Sequence, residues 1–396
     1  MKTLAKKFGV GAIALVIAGA IWLPCLHFFF SKPAKQFRAH VGLSSTAKEL
    51  AARHLEVWTD SKLREQELSR MRASNAEWDF MGRSFLVWSL ANIGLRDPAQ
   101  KPVCLETMDR IIDETLRLEK EKGMYFFLMG YAKFGSYVVQ PARSLFIDGE
   151  IALMLASRRL LEEKPEYKSL LTERVEVITS GLKSTPGMLL ESYPNECWMF
   201  DHCVALVALR AADHLDGTDH SKLVRDWIAM AKRKLVHEKS GLLISSFSCD
   251  GHPKDGPEGS TLWMVAHCLQ LLDEDFANDQ YARARNELGE ITLGFGYAHE
   301  WPESWDSQAD VDSGPIIPVF NISAGSSGMA LIGASAFYDE KFLSSLAATL
   351  DFAAFPSRRG NRLKYCASNQ VGDAALLYAA TLGPIWRMIK GPPTHL

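Results

Sequence analysis

The stretch RSLFIDGEIALMLASRRLLEEKPEYKSLLTERVEVITSGL, residues 143–182, shows the unit from which the fold is built. Apolar residues recur in it at three- and four-residue spacing, first over 143–163 and again over 166–182, which predicts two helices joined by a short turn. The same pairing continues along the chain and predicts about a dozen helices. They are expected at 46–70, 78–95, 101–121, 143–163, 166–182, 198–214, 219–235, 259–272, 275–290, 313–337, 340–354 and 370–390.

Paired helices with few strands predict an all-α fold, an (α/α)6 toroid or barrel of about six helical hairpins. Short strands are expected only at 241–248, 294–297 and 363–366. A helical solenoid is the competing architecture, but it would show a constant repeat of roughly 34–47 residues, and the sequence has none. No Gly/Ser-rich linker divides the soluble part, so 46–396 is expected to form one catalytic domain with a funnel rimmed by loops.

The composition is that of a globular protein with a full core, because 47% of the 396 residues are hydrophobic and 23% are charged. The formal net charge of −3 comes without a basic stripe or tail, so nucleic acid is not expected as a partner. No GxSxG, HExxH, Walker or GxGxxG pattern occurs, which argues against the commonest hydrolase, zincin and nucleotide-binding classes. No cofactor is therefore expected.

The first 31 residues differ from the rest. Lys2, Lys6 and Lys7 precede an apolar run from Phe8 to Phe30 that is long enough to cross a bilayer as a helix. Residues 1–31 are predicted to be a signal anchor, with a cleaved signal peptide as the alternative, followed by a linker over 32–45. This layout places the barrel on the periplasmic or extracellular side, either anchored to the membrane or secreted after cleavage.

Seven cysteines occur without a CxxC pair. In an oxidising compartment some could pair, for example Cys197 with Cys203, and the alternative is a set of buried, reduced thiols.

Acidic residues at predicted helix starts are the first candidates for chemistry. Asp79 in Glu77-Trp78-Asp79 opens an apolar helix and is interpreted as a substrate-binding residue or a helix-dipole charge. Asp148 and Glu150 lie inside an apolar helical segment, where a carboxylate is costly to bury unless it is paired or faces a cavity. Glu150 is the predicted catalytic carboxylate, with Arg143 about two turns before it as a structural ion-pair partner, and Asp148 is assigned to substrate binding.

The densest polar segment is ESYPNECWMFDHC, residues 191–203. Trp198, Asp201 and His202 lie at i, i+3 and i+4 and share one helical face, so an aromatic platform stands beside a carboxylate and an imidazole. The alternative is a helix-start charge with a satisfied core histidine. Predicted catalytic residues here are Tyr193, Asp201 and His202, and predicted substrate-binding residues are Ser192, Glu196 and Trp198.

A later segment, 301–315, adds Trp305, Asp310 and Asp312 as candidate substrate contacts. The two aspartates lack further ligands at EF-hand spacing, so no metal site is predicted, although a single divalent cation there stays open. They are equally placed to cap a helix near Ser313.

From about residue 75 to its end the chain resembles the linalool dehydratase/isomerase family, (α/α)6-barrel enzymes of terpene alcohol metabolism exported to the periplasm. The order and spacing of the shared segments hold over most of the soluble chain. These segments are Leu95-Arg96-Asp97-Pro98, Gly149-Glu150, Pro194, Val204-Ala205, His214-Leu215-Asp216-Gly217-Thr218-Asp219, Asp312-Ser313-Gly314 and Leu363-Lys364-Tyr365.

The family's catalytic residue types are not kept at their positions. Its histidine falls on Glu150 and its glutamate on Tyr193, its two cysteines fall on Ser192 and Asp201, and its tyrosine falls near Met81. The resemblance thus implies the same barrel and site location with different chemistry. The family also builds its sites at subunit contacts, so a homo-oligomer is one implied state.

Carboxylates flanked by aromatic residues favour an extracytoplasmic acid–base enzyme that cleaves a glycan by hydrolysis or elimination. The alternative is dehydration, hydration or isomerisation of a small apolar or terpene alcohol, with carboxylates moving the protons. A third interpretation is a non-catalytic anchored barrel that binds a glycan or a protein.

Overall fold

The computed structural model describes residues 2–305 and 313–391, which contain sixteen α-helices in those ranges. In chain order they are α1 Lys2–Leu26, α2 Ala34–Phe37, α3 Ser45–Thr59, α4 Ser61–Ser74, α5 Ala76–Arg96, α6 Lys101–Lys122, α7 Leu145–Leu161, α8 Pro165–Ser184, α9 Met199–Asp216, α10 Ser221–Lys234, α11 Gly259–Leu269, α12 Glu274–Glu287, α13 Ala324–Ala336, α14 Glu340–Ala353, α15 Gln370–Thr381 and α16 Pro384–Lys390.

Six helices form a closed inner ring. Each of α5, α7, α9, α11, α13 and α15 packs against the next, and α15 packs back against α5. The helices between them form an outer layer, and α3 covers α15 from outside. The all-α (α/α)6 toroid expected from the helix pairing is confirmed.

Composition explains which helices lie inside. Every residue of α7 is buried, as expected for a helix with apolar side chains around its circumference. In α6 the buried residues instead recur at three- and four-residue spacing on one face, which is typical of a surface helix.

The inner helices run parallel to one another. Gly94 near the end of α5 lies against Leu161 at the end of α7, and Gly82 near the start of α5 lies against Val371 at the start of α15. Their N-terminal ends therefore meet at one end of the ring, called here the mouth end.

Nine short strands in the described ranges form antiparallel sheets, and all of them precede an inner helix. These strands therefore lie at the mouth end of the ring. The three-stranded sheet has the order β1 Cys197–Trp198, β2 Ser246–Phe247 and β3 Pro253–Asp255, and the two-stranded sheets are β4 Gly289–Thr292 with β5 Phe295–Ala298, β6 Ile316–Ile317 with β7 Ile322–Ser323, and β8 Pro356–Arg359 with β9 Arg362–Tyr365.

The structure corrects several element boundaries. The helix expected at 46–70 is divided at Asp60, whose side chain caps α4 by accepting from the Lys62 and Leu63 N–H groups. The helix expected from 313 begins only at Ala324, because β6 and β7 occupy part of that segment. The helix expected at 370–390 is interrupted at Gly383, a glycine with φ of +120°.

The N-terminal segment comprises the apolar stretch and the predicted linker. Residues Lys7–Phe29 are long and apolar enough to cross a membrane, and none of this stretch is buried against the barrel. By contrast, the predicted linker 32–45 lies on the barrel: Phe37 is buried, α2 packs against α14, and Arg38 donates to the Ser335 carbonyl at 2.5 Å.

Candidate active site

Three carboxyl groups converge inside the mouth end because three adjacent inner helices begin there. Glu77 lies in the first turn of α5, Asp201 in the first turn of α9, and Glu150 near the start of α7 between them. Each is close enough to influence the ionisation of another.

Glu150 is completely buried. The Ser84 hydroxyl donates to its Oε2 at 2.5 Å, whereas its Oε1 has no hydrogen-bond partner among the described residues. Burial raises the pKa of Glu150 well above its ordinary value, the Ser84 hydrogen bond opposes the rise, and the charges of Asp201 and Glu77 add to it. The surroundings of Glu150 therefore favour its protonated form, and Oε1 is the oxygen without a hydrogen-bond partner among the described residues.

Asp201 is the second buried acid. The Ser192 hydroxyl donates to its Oδ2. Burial raises the pKa of Asp201 to about 8, the Ser192 hydrogen bond opposes this, and the negative charges of Glu77 and Glu196 contribute. Asp201 is therefore mostly protonated at neutral pH and ionises just above it.

Tyr193 holds the third carboxylate, Glu77. Its hydroxyl donates to Glu77 Oε1 and accepts from the Met129 backbone N–H at 2.9 Å. Burial and the Glu77 charge raise the pKa of Tyr193, so the phenol stays protonated and keeps Glu77 in place.

An aromatic rim lies outward of these acids. Tyr131 is 47% exposed and stacks on Tyr193 with ring centroids 4.8 Å apart. Glu196 accepts from the Trp198 indole at 2.7 Å and from the Tyr131 hydroxyl at 3.2 Å, and Lys254 lies 3.6 Å from it. Two rings, an acid and a base thus form a continuous polar edge beside the buried carboxyl groups.

His202 is near in sequence, but both of its ring nitrogens are occupied. Nδ1 donates to the Trp198 carbonyl at 2.8 Å, and Nε2 accepts from the Leu190 backbone N–H at 3.0 Å. Its ring stacks on Trp227, and burial lowers the pKa of His202 to about 4. It is a neutral histidine that fixes the turn before α9, and its hydrogen bonds within the described part of the chain go to backbone groups rather than to the acids.

Two predicted substrate-binding acids lie in ion pairs instead. Asp79 is fully buried and accepts from Arg83 at 2.8 Å and Arg72 at 3.4 Å. Asp148 accepts from Arg143 Nε at 2.8 Å and from Arg174. These contacts tie α5 and α7 to the surrounding structure, so the structure does not bring Asp79 and Asp148 together with the three carboxyl groups.

Trp305 lies on another part of the mouth end. Its ring covers Gly256, where a Cβ would come within 2.3 Å of it, and it makes an edge contact with His237 at 5.3 Å. Asp310 and Asp312 lie outside the described residues, so their predicted role stays a prediction.

Sequence reasoning missed three residues of the site. Glu77, Ser84 and Tyr131 make contacts in it, but none was assigned a role. Glu77 and Ser84 are seven residues apart in one helix, a spacing that places both on the same face, and this was the available signal. The loop holding Tyr131 offers no comparable spacing.

No group of three or more His, Cys, Asp or Glu side chains suited to a metal ion occurs within the described ranges. The sequence suggested Cys197 with Cys203 as an example of a cysteine pair, but the structure places the Cys197 thiol next to a different cysteine. The Cys197 thiol instead shares a hydrogen bond with Cys249.

No family model matches the chain. Solved structures that resemble it are glycoside hydrolases. A GH76 α-mannanase from Bacteroides thetaiotaomicron is 13% identical, with 76% of this chain and 85% of that chain covered and a TM-score of 0.47. A family 105 glycoside hydrolase from C. acetobutylicum is 10% identical, with 83% and 98% covered and a TM-score of 0.48. The GH76A α-1,6-mannanase from Salegentibacter sp. HEL1_6 is 13% identical, with 77% and 89% covered and a TM-score of 0.47. At these values the similarity carries no argument about the reaction.

Proposed function

We propose that this chain is an acid–base enzyme that cleaves a carbon–oxygen bond, with Glu150 as the proton donor and Asp201 as its partner carboxyl group. One observation carries the proposal: two neighbouring buried carboxyl groups at the mouth end have a hydroxyl donor each and no ion-pair partner in the described ranges. Two other buried acids of the same helices and their neighbour, Asp148 of α7 and Asp79 of α5, are instead paired with arginine. A buried acid kept neutral without a cation is typical of general acid catalysis.

The hydrogen bonds define the roles. Because Ser84 occupies Oε2 of Glu150, the proton resides on Oε1 and can be donated to the oxygen of a leaving group. Departure of that oxygen leaves positive charge on carbon. Because the pKa of Asp201 is about 8, a fraction of the molecules carries it ionised at neutral pH, and in these its carboxylate stabilises the charge or accepts a proton from the adjacent carbon or from the attacking water. Tyr193 positions Glu77 by its hydrogen bond to that carboxylate.

A glycan is the first candidate substrate. Trp198 and Tyr131 offer ring faces and Glu196 and Lys254 offer polar contacts, and sugars are bound by this combination of stacking and hydrogen bonding. Protonation of a glycosidic oxygen by one carboxyl group while a second stabilises the cationic carbon is the usual glycosidase chemistry, and elimination uses the same donor.

A small apolar or terpene alcohol is the second candidate, favoured by a different observation. Glu150 and Asp201 are nearly inaccessible to water, with exposed fractions of 0% and 6%, and the neighbouring inner helices add the apolar residues Met81 of α5 and Phe200 of α9. A protonated carboxyl group in such surroundings suits loss or gain of water at an uncharged alcohol. This reaction type also follows the resemblance to linalool dehydratase/isomerase.

We further propose that Lys7–Phe29 anchors the barrel to a membrane, with the barrel on the extracytoplasmic side. The length and apolar composition of this stretch, together with the exposure of its large apolar side chains from Phe8 to Leu23, support the proposal.

The test is turnover by the full chain in detergent against a glycan panel and a set of tertiary alcohols, with products identified by mass spectrometry. Glu150→Gln and Asp201→Asn keep side-chain size, and each is expected to lose roughly 100-fold or more in turnover. Glu166→Gln, at an exposed position of α8, is the matched control and should keep full activity.

The product masses decide the chemistry. Glycan fragments that gain water indicate hydrolysis, and fragments without it indicate elimination. Loss or gain of water on an alcohol would establish the second candidate. Absence of turnover on both sets, or full turnover by Glu150→Gln, would refute the proposed catalytic role and favour a binding protein.

A further inference from the structure

The end of the apolar N-terminal helix is fixed to the mouth end of the barrel. His27 fits over Gly294 in the turn between β4 and β5, where a Cβ would lie 2.3 Å from the imidazole ring. Phe30 packs edge-on against Phe352 at the end of α14, with ring centroids 5.1 Å apart, and lies 6.3 Å from Phe295 of β5. The helix therefore leaves the barrel from a defined place.

Large apolar side chains are exposed around that place. We call this group the apolar collar: Phe28, Phe29, Leu293, Phe352 and Phe355, which are 69%, 74%, 48%, 45% and 66% exposed. Phe28 and Phe29 belong to the apolar stretch itself, so the collar continues that stretch onto the barrel surface. Exposed apolar residues clustered in this way mark an interaction site rather than ordinary surface.

Two members of the collar also have costly backbone conformations. Leu293 and Phe355 both have a φ of +51°, a left-handed conformation that favours Gly or Asn over bulky side chains. Because both side chains are exposed, packing within the chain compensates neither the free-energy cost of the backbone conformation nor that of the apolar surface in water. Burial of these side chains in an apolar environment outside the barrel would contribute free energy that compensates these two costs.

The collar and the carboxyl groups lie at the same end. Leu293 lies in the hairpin that precedes α13, and Phe352 and Phe355 lie just before the hairpin that precedes α15. Glu150 and Asp201 lie at the starts of α7 and α9, which face the same way.

We propose that the mouth end of the barrel rests on the bilayer that holds α1, with the apolar collar inserted at the lipid interface, and that the substrate enters the funnel from the bilayer. The inference rests on the proposed membrane anchor but not on the identity of the reaction. A bilayer is the occupant that explains why the collar is continuous with a membrane-length helix. The substrate would then be a lipid-soluble or lipid-linked molecule, a class that includes apolar alcohols and glycolipids.

The test uses the full chain reconstituted in phosphatidylcholine vesicles, with a photo-crosslinking benzoylphenylalanine placed at one position at a time. Positions 293 and 355 report on the collar. Position 15, within the apolar stretch, reports on the anchor. Position 218, in the exposed loop that follows α9 at the opposite end of the barrel, is the matched control.

Lipid adducts at 15, 293 and 355 but not at 218 are the expected result. Adducts at 15 alone would overturn membrane docking while leaving the anchor intact, and absence of adducts at 15 would overturn both. Crosslinks from 293 or 355 to a second copy of the chain would show that the collar is a subunit interface, which also overturns the inference. Turnover of a water-soluble substrate at equal rates in vesicles and in detergent would refute entry from the bilayer even if docking holds.

Discussion

Gly149 of α7 lies directly against Ala205 of α9, so that a Cβ added to Gly149 would be 3.1 Å from the Cβ of Ala205. Glu150 follows Gly149, and Asp201 precedes Ala205 by one helical turn. The close approach of the two helices at this point therefore sets the separation of the two buried carboxyl groups.

Gly149→Ala should lower activity and stability together. The added methyl group must push α7 from α9, which costs about 1–3 kcal/mol in the free energy of unfolding and moves Glu150 relative to Asp201. Thermal unfolding and turnover measure the two effects. Gly328→Ala is the matched control, since it lies in a helix with no atom within 4 Å of the added Cβ, and it should be neutral or slightly stabilising. Equal behaviour of the two variants would contradict this account.

Asp201→Asn should stabilise the protein increasingly as pH rises. Because the folded-state pKa of Asp201 is raised from 3.8 to about 8, its protonated form stabilises the fold fully below pH 3.8, and that contribution is lost as pH rises through about 8. Asparagine does not ionise, so the stability difference from wild type should grow between these two pH values. Urea unfolding at pH 5, 7 and 9 checks it, and a difference independent of pH would exclude a raised pKa.

Asp148→Asn should destabilise the protein without a specific effect on chemistry. Asp148 is 4% exposed and is ion-paired with Arg143 and Arg174, so its loss leaves two arginines without their partner and costs roughly 2–4 kcal/mol. Asp226→Asn, which breaks the exposed pair with Lys222, should cost less than about 1 kcal/mol. Turnover per folded molecule should stay at the wild-type value, and a selective loss of turnover in Asp148→Asn would return this residue to the active site.

Cys197 and Cys249 should be joined by a disulfide when the protein is isolated from an oxidising compartment. Both thiols are free in this structure, but they share a hydrogen bond. Cys197 of β1 pairs with Phe247 of β2, and Cys249 follows Phe247 by two residues. Oxidation removes two protons and two electrons, which an oxidant such as oxygen accepts. Alkylation of the isolated protein before and after reduction measures the thiols. Full alkylation of both residues without reduction would argue against the extracytoplasmic location.

The helical fold was predictable because it depends on local composition. Apolar side chains around the whole circumference of α7 and on one face of α6 follow from residue spacing alone. Boundaries failed where a side chain or a turn intervened, as at Asp60 and Gly383, since capping depends on individual hydrogen bonds.

The site was only partly predictable. Glu150 was singled out because a carboxylate in an apolar segment is costly to bury, and Asp201 because it shares a helical face with Trp198 and His202. Both acids are buried in the structure. The sequence could not show that Glu77 rather than Asp79 belongs to the site. That distinction depends on tertiary contacts, because Arg83 pairs with Asp79 whereas Tyr193 donates to Glu77. The structural role of His202 likewise could not be recognised from sequence, because it depends on the hydrogen bond that the Leu190 N–H group donates to Nε2.

By itself the sequence determined the paired helices, the apolar N-terminal stretch and the acids at the starts of inner helices, since these follow from the order of apolar and polar residues along the chain. Only the tertiary structure decided which acids face each other, which are neutralised by arginine, and which exposed side chains surround the end of α1. Those relationships join residues far apart in the chain, such as Ser84 with Glu150 and Phe30 with Phe352, and they exist only once the ring of helices has closed.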